Sequence, residues 1–164
     1  MQKTILVTGS TDGIGLEAAR MLVALGHNVL LHGRNPAKLE TVKSSLPALT
    51  DGGRVESYVS DLSRLADVAA LAQAVAEKHA KLDVLINNAG VFKAPDLITQ
   101  DGLDVRFAVN TIAPYLLTQR LLPPLGASGR VINLSSAAQS PVDPEALAGR
   151  SKLSNGAAYA PVSY

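Results

Sequence analysis

Short runs rich in aliphatic and β-branched residues alternate with longer stretches of helical period along this chain, and that alternation leaves few folds open. The runs are Thr4–Thr8 (TILVT), His27–His32 (HNVLLH), Arg54–Val59 (RVESYV), Leu82–Ile86 (LDVLI) and Arg130–Leu134 (RVINL). Between them the spacing predicts a helix over Gly13–Leu25, with Ile14, Ala18 and Leu22 on its inner face. A second helix opens at Pro36 behind an Asn35 cap, turns Leu39, Val42 and Leu46 inward, and is broken by Asp51-Gly52-Gly53. A third is capped by Ser63 and carries Leu65, Val68, Leu71 and Val75 as one stripe, and a long fourth spans about Asp101 to Leu122. Strands joined through helices must run parallel with right-handed crossovers. The expected architecture is therefore α/β: a doubly wound parallel sheet of order 3-2-1-4-5 in a three-layer α/β/α sandwich. A ligand would sit at the carboxyl ends of strands 1 and 4, where the order reverses.

Composition agrees. With 164 residues the chain fits a single domain, 1–164, large enough for a real core. Four Tyr, two Phe and no Trp leave that core to Val, Leu, Ile and Ala, as a buried parallel sheet requires. A net charge of +1 argues against a nucleic-acid partner, and the absence of cysteine excludes disulfides and thiolate metal sites; no metal centre is expected. The apolar stretch Ile5–Val7 is too short for a signal peptide and no segment is long enough for a bilayer, so no membrane partner and a cytoplasmic location are expected.

The first strand leads into the first helix through Thr8-Gly9-Ser10-Thr11-Asp12-Gly13-Ile14-Gly15. Gly9 permits the sharp turn out of the strand, Gly13 lets a pyrophosphate approach the backbone, and Gly15 allows close packing behind it. The N–H groups of the helix that follows supply donors and partial positive charge for phosphates. A glycine-rich turn without a ligand is the plainer reading, but placement between a buried strand and an amphipathic helix counts against it.

With these residues in order the chain resembles the short-chain dehydrogenase/reductase family, whose domain is a Rossmann-type fold. TGSTDGIG matches the family's TGxxxGxG loop, and Asn87-Asn88-Ala89-Gly90 matches its NNAG motif after the fourth strand. Asp61-Leu62 falls where the family contacts adenine, Asn110 where it keeps an active-site Asn, and Ser135-Ser136 where its serine motif ends the fifth strand. The stretch Ala-Ala-Gln-Ser-Pro-Val-Asp after Ser136 resembles the retinol-dehydrogenase-like branch. The resemblance implies a nicotinamide cofactor held by Gly9, Ser10, Thr11, Asp12, Gly13, Ile14, Gly15, Asp61, Leu62, Asn87, Asn88, Ala89 and Gly90.

NADP is favoured over NAD. The second strand ends in Gly33-Arg34, so no acid repels a 2′-phosphate and a guanidinium is at hand to pair with it. Asp12 counts against this, since NADP-preferring relatives often carry a basic residue in the glycine loop.

The implied chemistry is hydride transfer between cofactor and a small alcohol or carbonyl substrate. Ser136 and Tyr159 would hydrogen-bond the substrate oxygen, Tyr159 would act as acid/base, and Asn110 would position a water in the proton relay. Pro114 lies four residues after Asn110 and has no N–H to offer its carbonyl, which leaves that oxygen free for a water. The family's lysine four residues after the tyrosine is replaced by Ser163, and Lys152 precedes Tyr159. A free tyrosine of pKa about 10 is only about one part in a thousand phenolate at pH 7, a poor base. The tail reads as a truncated or frame-shifted product, or a fragment, incomplete on the C-terminal side of the sheet. Two outcomes stay open: an oxidoreductase with weakened or lost catalysis, and a non-catalytic dinucleotide-binding or interaction module. The apolar edge at Arg130–Leu134 invites pairing with another chain, as in a homo-oligomer.

Overall fold

The computed structural model describes residues 1–46, 53–136, 141, 143–147 and 150–151. It contains strands β1 (Thr4–Val7), β2 (Asn28–Gly33), β3 (Val55–Val59), β4 (Val84–Asn87) and β5 (Arg130–Asn133). They form one parallel sheet of order β3-β2-β1-β4-β5, the doubly wound Rossmann arrangement. Register is set by alternation on the central strands. Leu6, Leu30 and Leu85 point to one face, while Ile5, Val7, Val29, Leu31 and Val84 point to the other.

The first face packs against α3 (Leu65–Lys78) and α5 (Ala113–Leu125) through Val68, Leu71, Val75, Leu117 and Leu121. The second packs against α1 (Gly13–Ala24) and α2 (Pro36–Ser45) through Ala19, Val23, Leu39 and Val42, with Leu46 half-buried beside them. As expected, Asn35 caps α2, its side chain accepting from the Lys38 N–H at 3.1 Å.

Three local expectations are corrected. Helix α1 buries Gly15, Ala19 and Val23 against the sheet; of the expected Ile14, Ala18 and Leu22, Leu22 packs half-buried against that core, whereas Ile14 is 73% exposed. The cause is steric: a Cβ at Gly15 would collide with the Asn88 amide and the Gly9 carbonyl, so only glycine fits on the first turn of that face. Ser63 does not cap α3. The N-cap is Arg64, without a side-chain bond, and Asp101 Oδ2 accepts from the Leu65 N–H at 2.9 Å instead.

The long helix begins later than Asp101. Residues 97–104 fold back on themselves, with Thr99 N–H donating to the Leu103 carbonyl and Val105 N–H to the Leu97 carbonyl, before α4 (Val105–Phe107) starts behind the Asp104 cap. The helix then widens to a π turn over Ala108–Ile112, where Ala113 N–H reaches the Ala108 carbonyl, and continues as α5 to Leu125. Pro114 accounts for the widening, because in a regular α-turn its ring would strike the Asn110 carbonyl. Two short helical segments complete the described chain, a 3-10 turn over Gly126–Ser128 and α6 (Pro144–Leu147).

Candidate functional site

The carboxyl ends of β1, β2 and β4 carry the loops that matter, and two hydrogen-bonded seams join them. Thr8 Oγ1, one residue past β1, accepts from the N–H groups of Asn88 (3.0 Å) and Ala89 (3.1 Å). The Asn88 amide donates to the carbonyls of Thr8 (2.9 Å) and Gly9 (3.1 Å). The glycine loop and the Asn87–Gly90 loop are thus a single rigid unit. Gly9 has φ +65°, and a Cβ there would lie 2.8 Å from Ala89 Cα, so only glycine allows the two loops this close.

Two clefts open on either side of the unit and share Asn88, Ala89 and Gly90 as their common wall. One, of about 450 Å³, gathers Gly9, Thr11, Asp12, Gly13, Arg34, Asp61 and Leu62 of the expected cofactor residues, together with His32 and Lys38. The other, of about 470 Å³, gathers Ile14, Asn87 and Asn110, and adds Thr111, Pro114, Tyr115, Thr118 and Ser135.

Ser10 and Gly15 line neither cleft; Ser10 is buried, and its hydroxyl is bonded to the backbone of His32. Ser135 lines the second cleft and Ser136, half-buried, follows it outside the lining. Tyr159, Lys152 and Ser163 lie outside the described residues.

Asn110 sits in the π turn, and its side chain holds the backbone of Val91 from both sides. Oδ1 accepts from the Val91 N–H at 2.7 Å, and Nδ2 donates to the Val91 carbonyl at 3.0 Å. Asn87 is buried and donates through Nδ2 to Asn133 Oδ1 (2.8 Å) and Thr118 Oγ1 (3.3 Å). Its Oδ1 has no partner among the described residues. A buried acceptor left in a cleft wall is a place for a ligand donor.

Charge is divided across the first cleft. Arg34 and Lys38 supply two cations, and Lys38 Nζ lies 3.8 Å from Asp12 Oδ2. On the opposite wall partial burial works against the charge of Asp61. The hydrogen bonds from Ser63 and the nearby Arg34 and Arg64 outweigh it and hold the carboxyl below its ordinary range. His32 is the titratable group that sequence reasoning missed: burial lowers it to about 4, so its ring is neutral at pH 7. Its signal was no more than a histidine among strand aliphatics. Lys38 carried a fainter one, as a cation one helical turn beyond Arg34.

Among the described residues no group of His, Cys, Asp and Glu could hold a metal ion, and no helix is long and apolar enough to cross a membrane.

Over residues 3–148 the chain matches the family described as short chain dehydrogenase. It is 38% identical to Homo sapiens retinol dehydrogenase 13 over 138 residues, which are 83% of this chain and 42% of that protein. It is 38% identical to Homo sapiens polyprenol dehydrogenase over 141 residues, 82% of this chain and 43% of the relative. Among solved structures, a metagenomic short-chain oxidoreductase in complex with NADP superposes with a TM-score of 0.76 at 38% identity, over 98% of this chain and 70% of that one. The chain spans less than half the length of the two curated relatives.

Proposed function

The chain belongs to the short-chain dehydrogenase/reductase family of oxidoreductases, in the retinol-dehydrogenase-like branch, and from that premise we propose that it binds NADP(H) across its two clefts and serves the interconversion of an alcohol and a carbonyl. The observation that carries the reading is the meeting of the two clefts at Asn88-Ala89-Gly90, with the glycine loop in one and the unpartnered Asn87 Oδ1 in the wall of the other. The adenosine half belongs in the first cleft, between Asp61-Leu62 and the Arg34–Lys38 pair. The diphosphate belongs beside Thr11–Gly13 at the amino end of α1, where the helix terminus offers partial positive charge, although the Gly13 N–H itself is taken by Asp12 Oδ1 at 2.8 Å. The nicotinamide riboside half carries hydroxyl and amide donors of the kind Asn87 Oδ1 lacks.

NADP rather than NAD is supported by Arg34 just past β2 and Lys38 on α2, with no carboxylate at that strand end. Lys38 also offsets the contrary charge of the glycine loop, Asp12. When bound, the nicotinamide supplies or accepts the hydride. The chain's own residues place the substrate oxygen and move its proton. In this reading Ser136 and Tyr159 bind that oxygen, and Tyr159 carries the proton. The Asn110 side chain is occupied by Val91, so its part in a relay falls to the backbone carbonyl, to which Pro114 has no N–H to donate. Residues 1–164 act in this reading as one dinucleotide-binding domain, and Ile132, 46% exposed on β5, supports pairing of that sheet edge with another copy.

Fluorescence titration with NADPH and NADH tests the cofactor reading. NADPH should bind more tightly, and Arg34→Glu should weaken NADPH at least about tenfold while sparing NADH, the size of one lost charge-assisted contact. Unmoved melting temperature at saturating NADPH and NADH would sink it. Ser163 in the lysine position favours a second reading, binding without turnover. Turnover on a panel of aldehydes and ketones with NADPH decides between the two.

A further inference from the structure

His32 is bonded through every polar atom it owns, and all but one of those bonds run to the glycine loop. Its backbone N–H donates to Ser10 Oγ at 2.9 Å, and its carbonyl accepts from the Ser10 N–H at 3.0 Å and from Ser10 Oγ at 3.2 Å. Its ring Nδ1 accepts from the Gly9 N–H at 3.1 Å. The remaining atom, Nε2, faces the Ser60 carbonyl at 3.2 Å, where β3 runs into Asp61-Leu62. These partners fix the tautomer: a backbone N–H at Nδ1 requires a lone pair, and a carbonyl at Nε2 requires a proton. The ring therefore spans the floor of the first cleft, from the loop proposed for the diphosphate to the loop proposed for adenine.

We infer that His32 is a positioning residue for the dinucleotide, its ring holding the Gly9 N–H so that the glycine loop keeps the course that brings the amino end of α1 to the cleft. The inference rests on the cofactor reading above. Gly9 carries φ +65° and sits against Ala89; the Asn88 amide holds the carbonyls of the peptides on either side of it, His32 holds the Ser10 N–H, and the His32 ring is the acceptor for the Gly9 N–H. Without the ring acceptor the N–H is a part-buried donor with no bond, and the turn gains by shifting toward a new acceptor. The charged groups around the ring come from every neighbouring element: Arg34 beyond β2, Asp61 beyond β3, Lys38 on α2 and Asp12 in the loop. The first two act on the ring in opposite senses, so burial rather than either neighbour keeps it neutral.

Two isosteric variants separate the ring's two bonds. His32→Asn keeps an acceptor near Nδ1 and loses the donor, whereas His32→Gln keeps a donor near Nε2 and loses the acceptor. NADPH affinity, measured by fluorescence titration of the full chain at pH 7, should stay within about threefold of wild type in His32→Asn and fall about tenfold in His32→Gln. Melting temperatures of the two variants, taken alongside, should drop together, so that only affinity divides them. Equal weakening in both variants overturns the inference and leaves the cofactor reading standing. A wild-type chain that binds neither NADPH nor NADH removes the reading and the inference with it.

Should His32→Gln fail to fold, nitrogen-15 NMR of the wild type decides. An Nε2–H imidazole and a Gly9 amide protected from exchange by about a hundredfold or more support the latch; the Nδ1–H tautomer or a freely exchanging Gly9 amide overturns it.

Discussion

Acidification from pH 7 to pH 5 should destabilise this protein through the His32 ring. The folded ring titrates at about 4 and the unfolded one at 6.5, so the folded state binds fewer protons throughout the interval between them. Stability is therefore complete above pH 6.5, is lost as the pH falls through that interval, and loses no more from this group below about 4. At pH 5 the unfolded ring is almost wholly protonated and the buried one about nine-tenths neutral. Integrating the difference gives a loss of about 2 kcal/mol relative to pH 7. Asp61, Asp83 and Asp104 are all held below their ordinary range; their own losses set in as the pH approaches the unfolded carboxylate value of about 3.9, which leaves the upper part of the window to His32. Urea unfolding followed by circular dichroism at pH 7, 6 and 5 measures this, with His32→Asn as the reference that subtracts every other titration. The wild type should lose about 2 kcal/mol more than the variant across the range. Parallel stability curves for the two proteins would refute both the burial and the acceptor role assigned to the ring.

Asp104 and Arg106 form a buried pair, with Arg106 fully buried and its Nη2 2.6 Å from Asp104 Oδ2. Asp104→Ala should cost about 3–5 kcal/mol in urea unfolding, because a guanidinium is left inside without its carboxylate and α4 loses its cap; a loss under about 1 kcal/mol would contradict this. Gly15→Ala places a methyl group against the Asn88 amide and the Gly9 carbonyl, and backbone does not yield as a side chain can. That variant should lose about 1–3 kcal/mol and, with the two loops pushed apart, most of its NADPH affinity; unchanged titration would show that the loops are not the rigid unit described.

The sheet order was legible because the central strands are buried on both faces, and a buried parallel strand announces itself as an aliphatic run bounded by glycine or polar residues. Five such runs separated by helical stretches admit few topologies. What failed was the orientation of single elements. Helical periodicity ranks apolar residues by size, so it placed Ile14 inward; the close approach of Asn88 to Gly15, a contact 73 residues away in sequence, selected glycine on that first turn instead. The helix that was to begin at Asp101 shows the same limit, because the fold-back of residues 97–104 depends on backbone bonds that leave no periodic trace.

Pro114 gives the opposite case. Its missing N–H was readable from sequence as a gap opposite the Asn110 carbonyl, and the structure answers with a π turn at that place. A local covalent constraint survives into the fold, while a distant steric one has no sequence pattern to carry it. The candidate site divides along the same line. Its glycines and its Asn88 lie in contiguous motifs and could be read, but His32 does its work by touching Gly9 on one strand end and Ser60 on another. Nothing in the letters HNVLLHG distinguishes a latch from a core residue. Only the positions of two backbone groups, set by the order of β1, β2 and β3 in the sheet, turn this histidine into one.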